Sequence, residues 1–135
     1  MLKNIHRYLL MLISFCVLFF AAGCDRENNH LTIDDLIKHF EKSGLKIESV
    51  SPLRADTIKA ENAAAIRISG REIGVYKYDV NIAKEKVKIE KIQENGHVYI
   101  IGLKYPVIVN GSFILMDYER NPSKDKIVEA FESFE

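Results

Sequence analysis

A chain of 135 residues with 19 basic and 19 acidic side chains has the length of one domain and no formal net charge, so it lacks the basic excess that nucleic-acid binding uses. Its two cysteines, Cys16 and Cys24, both fall in the first 24 residues. That excludes a disulfide framework, thiol catalysis and cysteine-ligated metal from everything that follows.

The first 24 residues run in the order basic, apolar, small, cysteine. Lys3 and Arg7 supply the basic start, and Tyr8 to Ala22 carry no charge, with Ser14 as the polar interruption. Ala21, Ala22 and Gly23 precede Cys24, and Asp25, Arg26 and Glu27 end the apolar run. This is the order of a secretory signal. The stretch Ala21-Ala22-Gly23-Cys24 resembles the lipobox of bacterial lipoproteins, with Ala21 where that class usually has Leu. The resemblance implies cleavage between Gly23 and Cys24, loss of residues 1–23 as signal, and a diacylglyceryl group on the Cys24 sulfur. It covers the first 24 residues only.

Three other readings of the same stretch stay open. An uncleaved membrane helix would need roughly 20 apolar residues, and the run has about 15. An exported protein with Cys24 as a free thiol fits the run length. A buried core helix is opposed by the basic start and the missing polar face. On the lipoprotein reading, each buried methylene contributes about 0.8 kcal/mol and one acyl chain holds only marginally, so two or three chains on Cys24 would hold the protein at the membrane. Residues 24–30 then form the lipidated cysteine and a tether, with Asp25 to His30 spanning at most about 20 Å. Residues 31–135 form a single domain. Losing Lys3 and Arg7 with the signal leaves that body slightly acidic.

Leu31 to Ser43 reads as a helix. Thr32 can cap it with Asp35 three residues on, Leu31 can staple onto Leu36, and Ile33, Leu36, Ile37 and Phe40 share one face. Gly44 supplies the stop. Leu45 to Ser51 alternates as a strand ending near Pro52, and 53–63 fits a short helix or an ordered loop. Ala65 to Ser69 and Glu72 to Val80 read as a hairpin turning at Gly70-Arg71. Asn81 to Glu94 reads as a helix capped by Asn81 and stopped at Asn95-Gly96, with a strand from Val87 competing. His97 to Leu103, Val107 to Asn110 and Phe113 to Tyr118 read as strands, with a turn at Asn110-Gly111. Asn121-Pro122-Ser123 opens a last helix to Phe134. The order α-β-β-β-α-β-β-β-α predicts an α+β domain, an antiparallel sheet of five to six strands with helices packed on one face.

No Gly-rich phosphate loop and no serine nucleophile elbow occurs, and no catalytic residue is assigned. The metal candidate is His30, Asp34, Asp35 and His39, since Asp35 and His39 share a helix face, but the same residues also suit a solvated face opposite Ile33, Leu36 and Phe40. His97 could serve as a general base, though no partner for it can be named. No metal or other cofactor is therefore assigned. Tyr76, Tyr78 and Tyr99 fall on predicted strands and Tyr105 between two of them; the four would make a partner surface if left uncovered, or core and edge residues otherwise. The expectation is a lipid-anchored extracytoplasmic domain at the bacterial cell membrane, a non-catalytic binding or accessory protein for an envelope protein or small ligand, with no nucleic acid. The alternative is a small envelope hydrolase or metal-dependent enzyme using His30, His39 or His97.

Overall fold

The structure, a computed structural model, describes residues 28–135 and, in the N-terminal stretch, Asn4. The signal and lipobox residues, Gly23 and Cys24 among them, lie outside the described residues. Among the described residues no helix is long and apolar enough to cross a membrane.

The first helix, α1, spans Ile33–Lys42. Thr32 caps it as expected: its Oγ1 accepts from the Asp35 amide at 3.2 Å, and Asp35 Oδ2 accepts from the Thr32 amide at 2.8 Å. The Thr32 amide and then the Thr32 hydroxyl, both donating to Asp35 Oδ2, hold the Asp35 carboxyl below its usual range. The helix ends at Gly44, whose φ of +87° an L side chain rarely adopts. There the Leu45 amide donates to Phe40 O and the Gly44 amide to Glu41 O, which satisfies two carbonyls of the last turn.

Strands β1 (Ile47–Pro52), β2 (Asn62–Ile68) and β3 (Arg71–Lys77) follow, with a 3₁₀ turn at Ala55–Ile58 between β1 and β2. Helix α2 (Ala83–Asn95) leads into β4 (His97–Ile100), β5 (Leu103–Asn110) and β6 (Phe113–Met116), and helix α3 (Lys124–Glu132) closes the chain. The architecture is α+β in the order expected. All six strands join one antiparallel sheet, in the order β1-β2-β3-β6-β5-β4. Two three-stranded meanders therefore meet along β3 and β6, in register from Gly74 with Met116 to Lys77 with Phe113.

Both faces of this sheet are covered. Ile66, Ile68, Ile73, Val75, Phe113 and Leu115 pack beneath α1 and α3. Their neighbours in sequence, Tyr76, Tyr78, Ile114 and Met116, point the other way and pack with Ile58 and with Ile89 of α2. A helix layer on one face was the expectation; two helices lie there and the third lies opposite. The physical reason is the strand pattern: β6 is buried at every position, which a sheet with one wet face does not require.

The turns sit one residue from their expected places. The β2–β3 turn is Ser69-Gly70, both at positive φ, and the β5–β6 turn is Gly111-Ser112. The stretch read as one strand from His97 to Leu103 is broken by a tight turn at Ile101-Gly102. Strand β5 then runs through Pro106, which pairs with His97 where β6 does not reach.

Candidate functional site

A cleft of 1260 Å³ opens between the start of the described chain, the end of β3, α2 and the β5–β6 turn. Its floor is a set of buried and half-buried polar side chains that no local sequence pattern groups. Asn28 is 1 % exposed. Its Nδ2 donates to Asn110 O at 3.1 Å, and its Oδ1 accepts from the amide and hydroxyl of Ser112 at 2.9 and 3.1 Å. Asn29 follows: its Oδ1 accepts from the Val80 amide at 3.0 Å, and its Nδ2 donates to Asp79 at 3.0 Å. Asn28 and Asn29, counted in the tether from sequence, are hydrogen-bonded to the body of the domain.

Lys77 is the charged member of this floor, 7 % exposed. Its ammonium donates to Asn29 O at 3.0 Å, Asn29 Oδ1 at 3.1 Å and Tyr78 O at 2.8 Å, and lies 5.2 Å from the centre of the Phe113 ring. Burial pushes its pKa down, and the carboxylates of Glu61, Asp79 and Glu85 oppose that. Asp79 is held below the usual carboxylate range, first by the Asn29 side chain and then by the Asn81 amide. The side chains of Lys77, Asp79 and Ser112 hold the N-terminal segment, and Asn110 Nδ2 donates to Phe131 O and Phe134 O at the end of α3. A nucleophile needs a base within hydrogen-bond reach, and Ser112 Oγ instead donates to Asn28.

The three histidines of the described chain are not brought together. His30 is exposed on the rim of the cleft. His39 is docked on α3, with Nε2 2.8 Å from Ala130 O and 3.0 Å from Ser133 Oγ, and its ring against Phe134. His97 has Nδ1 2.8 Å from Asn95 O and meets Tyr99 edge to face. Among the described residues no three His, Cys, Asp or Glu side chains gather as a metal would need. In the candidate set His30, Asp34, Asp35 and His39, Asp35 is occupied as a cap and His39 as a helix–helix contact.

The four tyrosines do not share a surface. Tyr76 and Tyr78 are core residues, and the Tyr78 hydroxyl donates to Ile58 O at 2.6 Å. Burial pushes both phenols up. Tyr105 is half-buried against the same cluster, and Tyr99 stands exposed. Because Val98 pairs with Tyr105 and Tyr99 with Lys104, the last two lie on opposite faces of the β4–β5 hairpin. The chain matches no family model, no curated protein and no solved structure.

Proposed function

We propose that this protein is a lipid-anchored extracytoplasmic domain of a bacterial cell envelope, acting by binding and not by catalysis. One observation carries the reading. The ordered run of basic, apolar, small and cysteine residues up to Cys24 is followed, four residues later, by a buried and fully hydrogen-bonded Asn28. Four residues reach about 14 Å at most, so a lipid on Cys24 would hold the folded body close to the bilayer. The alternative enzyme on His30, His39 or His97 has no observation in its favour.

Acyl labelling tests the reading. Cells expressing the full chain are grown with radiolabelled palmitate. Label is expected in the wild-type protein and absent from Cys24→Ser, and mass spectrometry is expected to find Cys24 as the acylated first residue. A peptide in which unmodified Cys24 still follows Gly23 would overturn it.

A further inference from the structure

The β4–β5 hairpin stands apart from the rest of the sheet. Residues 103–106 of β5 pair with β4 alone, because the register with β6 begins at Val107. Its tip is apolar and bare: Ile101 is 97 % exposed, Tyr99 64 % and Leu103 62 %. Ile101 also holds a φ of +49°. A β-branched residue is among the least suited to that conformation, and the first position of such a turn is ordinarily Asn, Asp or Gly. A strained and exposed isoleucine at a hairpin tip is a combination that neither folding nor solubility favours, and local strain of this kind gathers at functional positions.

The chemistry around the tip specifies what it meets. From His97 to Pro106 there is no acidic residue, and Lys104 and Tyr105 flank the aliphatic tip. Aliphatic, tyrosine and lysine side chains in that sequence of depths suit a membrane–water interface, where tyrosine sits at headgroup level and lysine snorkels. Further cationic side chains lie on the face of the hairpin that carries Leu103, while Tyr99 and Lys104 point to the other face. The hairpin packs against the 3₁₀ turn and α2. Lys59 follows that turn, and Lys84 and Lys88 are one helical turn apart on α2, near enough that Lys59 and Lys84 help lower the Lys88 pKa after desolvation.

We propose that the tip of the β4–β5 hairpin, Ile101 with Leu103 and Tyr99, inserts into the headgroup layer of an anionic lipid bilayer, so that the domain lies on its side against the membrane. The proposal rests on the anchored reading, which supplies the membrane. The length of the chain allows both contacts. Asn28 is fastened at the β5–β6 turn, and the tip is at the other end of β5, seven residue steps or about 23 Å away. Cys24 is at most about 14 Å before Asn28. With Cys24 in the bilayer and the tip on it, β5 inclines to the membrane plane by no more than about 40°. With Lys59, Lys84 and Lys88 turned to the anionic surface, helix α3, on the opposite face of the sheet from α2, faces away.

The test uses the full chain, processed in a bacterial host and reconstituted into phosphatidylethanolamine–phosphatidylglycerol vesicles. A spin label is attached to Ile101→Cys or, as the membrane-distal reference, to Asp125→Cys on α3. The label at 101 is expected to collide more with lipid-soluble oxygen than with an aqueous nickel chelate, and the label at 125 the reverse. Equal access of the nickel chelate to both positions overturns the proposal. So does a label at 101 that is shielded from both reagents in native membranes but water-exposed in the vesicles, which would assign the tip to a protein partner. The same preparation separates the anchor from the tip. The chain without an added cysteine is expected to take up no thiol label, and uptake at Cys24 would overturn the anchored reading whatever position 101 reports.

Discussion

Lys77 has three hydrogens to donate and three oxygens that receive them, two on Asn29 and one on Tyr78. Removing the amine takes this donor from the buried Tyr78 O and the part-buried Asn29 O, while Asn29 Oδ1 keeps the Val80 amide; a buried acceptor left unpaired costs about 1–3 kcal/mol, and burial of the charge is relieved. The balance favours the lysine. Lys77→Met is expected to lower stability by about 2 kcal/mol in urea unfolding and to raise hydrogen exchange at residues 28–31. Asp79 gives the same segment a dependence on pH. Its folded pKa lies below that of an ordinary aspartate because Asn29 and the Asn81 amide bond the carboxylate. A depressed carboxyl contributes stability above its unfolded pKa and loses it as pH falls through the folded one. Protection of the Asn81 amide is therefore expected to hold from neutral pH down to about 4 and to fall below that. Asp79→Asn is expected to remove the step.

At the scale of elements, the first helix was legible because its signals are local. Thr32, Asp35 and Gly44 lie within or beside the helix they define. The turns were legible to within one residue, since Ser69-Gly70 and Gly70-Arg71 present nearly the same composition and only the pairing of Ile68 with Arg71 separates them. The cleft floor was not legible, because Asn29 meets Lys77 across 48 positions and Asn28 meets Ser112 across 84. No local pattern reports such distances. The Ile101-Gly102 turn was hidden for another reason: isoleucine favours a strand, and its own preference is overruled there. That conflict makes a prediction. Ile101→Asn supplies the residue such a turn prefers and is expected to raise the urea midpoint, by about 1 kcal/mol of stability. A loss of stability would show instead that the isoleucine is held by contacts within the fold.

Over the whole molecule, the two apolar clusters share the strands between them. In β6, Phe113 and Leu115 belong to one cluster and Ile114 and Met116 to the other. Neither can come apart while this strand stays in place. Thermal unfolding is accordingly expected as one transition, with far-ultraviolet circular dichroism coinciding with the near-ultraviolet tyrosine signal, to which Tyr118 on one face and Tyr76 and Tyr78 on the other contribute. Two separate midpoints would show that the faces melt independently.

The bond between Asn28 and Ser112 also orders events in time. A chain that emerges from its N-terminus offers Asn28 first, yet the groups that receive it arrive 82 and 84 residues later. Contacts across such a separation form late, because the intervening chain must close first. Until then Asn28 has no partner on the domain; afterwards it is fastened at the β5–β6 turn. The fold therefore acts as a delay.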